Sequence, residues 1–89
     1  MNSYTSRDFW QKYRRLPVSI RQLARKSYRL WCENPNHPSL HFKKVGQHTW
    51  SARIGRDYRV LAAPVVDGYV WFWIGRHAEY ERLIASLPR

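Results

Sequence analysis

The chain has 89 residues, a formal net charge of +10 from 16 Lys and Arg against 6 Asp and Glu, and one cysteine, Cys32. That length holds a single small domain, so residues 1–89 are read as one unit, and a lone cysteine excludes an internal disulfide and fits a reducing cytoplasm. Residues 1–15 are polar and charged, so no secretory leader is expected, and no apolar run approaches the roughly 18 residues that cross a membrane.

A pI near 10.5 attracts polyanions and speeds encounters with them. The natural partners are nucleic acid, an acidic membrane face or an acidic protein; nucleic acid or a ribosome is the expected one, and no membrane partner is expected. Aromatic residues make up 16% of the chain. Each one buried removes on the order of 150–250 Å² from water, which enlarges an otherwise marginal core.

Thr5-Ser6-Arg7-Asp8 has the form of a helix N-cap followed by an acid in the first turn. Phe9, Trp10, Tyr13 and Leu16 then recur at helical spacing, and Pro17 breaks the pattern and opens a second helix. Ile20, Leu23, Ala24, Ser27 and Trp31 mark one face of that helix to about Glu33, while Arg21, Arg25 and Arg29 stand opposite. This helical hairpin is a basic plate. Asn34-Pro35-Asn36-His37-Pro38 is a loop by composition.

Period-two patterns follow, with a short strand over Leu40 to Val45. From Thr49 to Ile54, Trp50, Ala52 and Ile54 face one way and Thr49, Ser51 and Arg53 the other. Gly55-Arg56-Asp57 is a tight turn, and Tyr58 to Val65 the next strand. Asp67-Gly68 is a strong two-residue hairpin signal before a strand from Tyr69 to Ile74. Strict alternation puts Trp71 and Trp73 on one face of that strand and Phe72 and Ile74 on the other. Gly75 is expected to let the chain turn. Tyr80, Leu83, Ile84 and Leu87 give a closing helix, with Glu79 and Glu81 in its first turn. The expected fold is α+β: a helical hairpin packed on an antiparallel sheet of about four strands, then a short C-terminal helix.

His37, His41, His48 and His77 are scattered without metal-ligand spacing. No Gly-rich phosphate loop, nucleophile elbow or close carboxylate pair is present. What remains is a basic and aromatic set on the sheet half. Hairpin-linked strands can bring Arg53, Arg59 and His77 onto one surface, with Tyr80 nearby. Such a set suits cleavage of RNA by its own 2′-hydroxyl, without metal or cofactor. A base takes the hydroxyl proton, cations steady the phosphate, and an acid protonates the leaving 5′-oxygen. Taken singly, each residue has a structural alternative: Arg53 as surface, Arg59 as a partner of Asp57, Tyr80 as helix core. A helix N-terminus and Arg76 both disfavour imidazolium at His77, so a neutral imidazole is expected in the free protein.

The order of elements, with Tyr58-Arg59-Val60 and Gly75-Arg76-His77-Ala78-Glu79-Tyr80, resembles the RelE/ParE superfamily of bacterial type II toxins. It is most similar to a RelE-like branch that carries an Asn-Pro-x-His-Pro-Ser-Leu loop, as at Asn34 to Leu40. That branch also has a Trp-Ser-x-Arg-Ile strand, as at Trp50 to Ile54. The resemblance runs over nearly the whole chain from about Thr5. It implies a metal-independent mRNA interferase that cuts mRNA in the ribosomal A site and is neutralised by a cognate antitoxin. It implies Arg59 as the phosphate-binding arginine, Arg53 as a second cation, His77 as acid or base, and Tyr80 as the terminal tyrosine. Lys43, Lys44, Arg56, Arg76, Arg21, Arg25 and Arg29 are the expected RNA and ribosome contacts.

Two departures stand out. Ser51 occupies a position where active relatives often have Lys, and residues 1–4 are too few for the full strand with which many relatives begin. The same fold in the ParE branch poisons DNA gyrase, and a third alternative is an RNA-binding member with little activity.

Overall fold

Asn2–Thr5 forms a strand, β1, that runs parallel to the last strand, β5 (Gly68–Arg76), from the pair Asn2–Gly68 to the pair Thr5–Trp71. The computed structural model describes residues 2–88. Between these strands come α1 (Arg7–Arg14), α2 (Val18–Glu33), a single 3₁₀ turn at Pro38–Leu40, β2 (Lys43–Gly46), β3 (Thr49–Ile54) and β4 (Tyr58–Val65); α3 (His77–Ala85) follows β5. The sheet order is β1-β5-β4-β3-β2. The expected α+β fold is present, with a fifth strand that makes the sheet mixed. Polar residues suffice for β1 because an edge strand is held through its backbone. The chain also supplies an acceptor there, since the buried indole of Trp71 donates from Nε1 to Ser3 Oγ at 2.8 Å.

Ser6 starts α1 as expected, its Oγ accepting from the backbone N–H of Phe9 at 3.2 Å. Phe9 and Tyr13 point into the core from α1, Ala24 and Trp31 from α2. Trp31 is 2% exposed and stands edge-on to Trp71 at 5.1 Å between ring centroids. Truncating such a residue costs about 3–5 kcal/mol. Ala52, Ile54, Val60, Ala62, Trp71 and Ile74 form the sheet side of this main core.

The strand alternation breaks in β5. Leu61 pairs with Trp73 and Ala62 with Trp71, which leaves Phe72 as the extra residue of a β-bulge. The bulge rotates the chain, so Trp71 and Trp73 lie on opposite faces. Trp71 joins the core under α1 and α2, whereas Trp73 joins Leu61 and Tyr80 in a second cluster under α3. The expectation that the two tryptophans share a face is corrected by this single inserted residue.

Gly75 does not make the turn expected of it. It is inside β5, paired with Arg59, and a Cβ there would meet the Trp73 indole at 2.6 Å. Its function is clearance for Trp73. The strand continues through Arg76, and α3 begins at His77.

Candidate functional site

The sheet carries a small cleft on the face away from α1 and α2. Its cavity of about 270 Å³ is lined by His41, Lys43, Ser51, Ala52, Arg53, Arg59, His77, Tyr80, Glu81 and Ile84. All four expected catalytic residues therefore meet in one place. Register explains why. Arg53 and Arg59 are direct cross-strand partners in β3 and β4, so their side chains leave the same face of the sheet. Lys43 of β2 pairs with Ser51 of β3, one row away.

Each arginine is tethered by one edge of its guanidinium. Arg53 Nε donates to the Gly55 carbonyl at 3.1 Å. Arg59 Nη1 donates to the carbonyls of Tyr58 at 2.8 Å and Arg56 at 3.2 Å. Partial burial lowers the pKa of Arg59, and the facing charge of Arg53 lowers it further. The cleft thus holds two cations that repel each other and that a bound anion would reconcile.

Tyr80 is the platform beneath them. Its ring is 4% exposed, with the Arg59 guanidinium 5.9 Å above its centroid and the His77 imidazole 5.7 Å away. Its hydroxyl lies 3.1 Å from Ser51 Oγ, and that hydrogen bond is buried. Ser51 is thus not a vacancy left by a missing lysine, because it is 2% exposed and committed to Tyr80. The nearest lysine in the row is Lys43.

His77 is the first residue of α3, as the helix pattern implies, and its backbone N–H donates to the Asp57 carbonyl at 2.8 Å. That bond ties the helix start to the β3–β4 turn. Glu81, one turn along, approaches His77 Nε2 to 2.9 Å, while His77 Nδ1 is buried with no partner among the described residues. Glu81 thus adds a carboxylate to the surroundings of His77, beside the helix N-terminus and Arg76.

The remaining basic residues disperse. Lys44 pairs with Trp50 and so leaves the opposite face from Lys43. Arg56 and Arg76 are exposed and do not line the cleft. Arg21, Arg25 and Arg29 belong to α2, on the far side of the sheet, and Arg25 Nε is bonded to the Tyr13 hydroxyl at 2.8 Å. A larger groove of about 490 Å³ lies on that far side, lined by aromatic and aliphatic side chains together with Arg25 and Arg29. No His, Asp or Glu among the described residues lines it. Two cleft residues, His41 and Glu81, escaped the sequence reading.

Among the described residues no group of three His, Cys, Asp or Glu side chains is placed to hold a metal ion, and no helix is long and apolar enough to cross a membrane. None of the curated protein sequences matches the chain. Solved structures do. The toxin–antitoxin complex RelB-RelE of Methanococcus jannaschii matches with a TM-score of 0.68 at 18% identity, over 90% of this chain and 96% of that one. The isolated RelE toxin of E. coli matches with a TM-score of 0.62 at 12% identity, over 96% of this chain and 97% of that one. A mutant of E. coli RelE in the free state gives 0.64 at 15% identity, over 94% and 88%. These likenesses establish the fold. The model of the ParE-like toxin domain matches residues 18–82, and the chain therefore belongs to the ParE-like toxin domain family of the RelE/ParE superfamily.

Proposed function

We propose that this toxin is a ribosome-dependent mRNA endonuclease that acts through the Arg53–Arg59 cleft. The observation that carries the reading is the convergence of two facing guanidiniums, Lys43 and the His77 imidazole over a buried tyrosine platform. A gyrase inhibitor does not require such a set. Arg59 and Arg53 bind the scissile phosphodiester and stabilise the charge that builds on its oxygens. Lys43 adds the cation that Ser51 does not supply. His77 transfers a proton to or from a reacting oxygen. Tyr80 acts through its ring, which positions Arg59 and His77.

An antitoxin is the expected protein partner, in keeping with the RelB-RelE complex among its structural likenesses. Arg21, Arg25 and Arg29 on α2, with the exposed Lys44, Arg56 and Arg76, supply phosphate contacts to ribosomal RNA outside the cleft. Their binding weakens as salt rises.

Primer extension on mRNA-programmed ribosomes tests this, with wild type, Arg59→Ala and His77→Ala in parallel. Cuts at the A-site codon that disappear in both variants are the expected result. The second reading, gyrase inhibition, draws on the ParE-like family model. It predicts growth arrest with a DNA-damage response, no cuts, and indifference to His77→Ala.

A further inference from the structure

His41 is the one described non-glycine residue with a positive φ, 45°. It follows the 3₁₀ turn, its backbone N–H donating to the Pro38 carbonyl at 3.3 Å. A left-handed residue without the freedom of glycine is strained and persists where the surroundings over-determine it. Here that conformation delivers the side chain to the cleft it shares with Arg53, Arg59 and His77. The residue is exposed, and its ring makes no hydrogen bond to any described residue.

Its position relative to His77 is set by the sheet. His41 enters from the β2 side and His77 from the β5 side, while β3 and β4 lie between them and carry Arg53 and Arg59. Two imidazoles thus flank two guanidiniums. A phosphodiester gripped by the arginines would have one imidazole on each side. That is what an in-line displacement requires, because the attacking oxygen enters on the face of phosphorus opposite the one from which the leaving oxygen departs.

We propose that His41 is a second proton-transfer residue of this cleft, the general base opposite His77. The proposal rests on the endonuclease reading and deepens it. The two rings are not equivalent. His77 Nε2 is engaged with Glu81 at 2.9 Å, whereas the exposed His41 ring has no partner among the described residues. Neutral His41 takes the proton of the 2′-hydroxyl. The 2′-oxygen forms a bond to phosphorus, and the bond from phosphorus to the 5′-oxygen breaks. Protonated His77 gives its proton to that 5′-oxygen. The products are a 2′,3′-cyclic phosphate and a 5′-hydroxyl, with one proton gained by His41 and one lost by His77. No oxidant, metal or further reactant enters.

His41→Asn is the informative variant, since Asn tolerates the left-handed backbone and keeps the turn. The rate of cleavage on mRNA-programmed ribosomes should fall by about 10²–10⁴-fold. Binding of an mRNA with a 2′-deoxy nucleotide at the cut should be unchanged. The pH–rate profile should lose its acid limb in His41→Asn and its alkaline limb in His77→Ala. An mRNA with sulfur for the 5′-oxygen at the cut has a leaving group that needs no acid. It should restore His77→Ala and leave His41→Asn slow. Wild-type rate and profile in His41→Asn would overturn the inference while the endonuclease reading stands. Restoration of His41→Asn by the sulfur substrate would overturn the assigned role. Absence of any cleavage by wild type would remove both readings together.

Discussion

The hydroxyl of Tyr80 lies 3.1 Å from Oγ of Ser51, a buried contact between residues 29 positions apart. It fastens α3 to β3 across the second core cluster, and Arg59 and His77 rest on the ring it immobilises. Position 51 is therefore part of the support of the site.

Ser51→Ala should leave the Tyr80 hydroxyl unpaired and cost about 1–3 kcal/mol. Tyr80→Phe leaves the buried Ser51 hydroxyl unpaired in turn and should also cost about 1–3 kcal/mol. Ser51→Lys should lower stability more than either, because an ammonium would be forced into a site only 2% exposed. Urea denaturation ranks the three. A Ser51→Lys protein as stable as wild type would show that the packing around Ser51 is looser than described.

The facing pair Arg53–Arg59 makes a prediction about anions. Burial and Arg53 lower the pKa of Arg59, so the folded state disfavours its charged form. The sign follows from linkage: this penalty is present at every pH below the arginine range and is relieved only as pH rises through it. Arg59→Gln should thus stabilise the free protein, by at most about 1 kcal/mol because solvent screens the pair. Pyrophosphate should raise the Tm of wild type and fail to do so in Arg59→Gln. Equal shifts in both proteins would place the anion elsewhere.

Asp67 is an acid whose effect falls at the opposite end of the pH scale. Its carboxylate accepts from Asn2 Nδ2 and from the Tyr4 hydroxyl, both at 2.8 Å. These bonds hold its pKa below the ordinary 3.8, Asn2 contributing most, and the same carboxylate raises the pKa of Tyr4. A depressed carboxylate contributes stability that is complete above its unfolded pKa and is lost as pH falls toward the folded one. Asp67→Asn should remove that part of the acid sensitivity below about pH 4. The check is a pair of urea midpoints at neutral and at acid pH, and an unchanged difference between wild type and variant would argue against it.

Gly68→Ala should detach β1. A Cβ at this position would fall 1.8 Å from the Asn2 carbonyl oxygen, so the parallel strand has to move. The expected cost is about 1–3 kcal/mol. Amide exchange at Ser3 to Thr5 should accelerate while that of β3 and β4 stays slow.

The elements that the sequence announced are those with local signals. Ser6 capped its helix, and β3 and β4 begin and end where their alternation does; the hairpin expected at Asp67-Gly68 is present one residue earlier, with Val66 and Asp67 as its loop and Gly68 already paired with Val65. The features that eluded it depend on distant partners. β1 has no pattern of its own and exists because β5 offers an edge. The bulge at Phe72 is invisible to alternation, since four consecutive large apolar residues read equally well in any register. The candidate site was legible as a set, because Arg53, Arg59 and His77 lie at strand positions or strand ends that hairpins must bring together. The place of Tyr80 beneath that set, and the addition of His41 and Glu81, required the sheet order and the path of α3 over it.

The bulge also sorts the chain's indoles into two optical populations. Of the 5 tryptophans, Trp10 and Trp31 ride on the helices, and Trp50 and Trp71 belong to the helical side of the sheet. Trp73 alone lies on the cleft side of the sheet, buried beneath the cleft in the cluster with Leu61 and Tyr80. A chain that keeps Trp73 and has phenylalanine at the other four carries a fluorophore whose emission reports occupancy of the cleft and is blind to the aromatic groove. Its complement, with Trp73 replaced, reports the reverse.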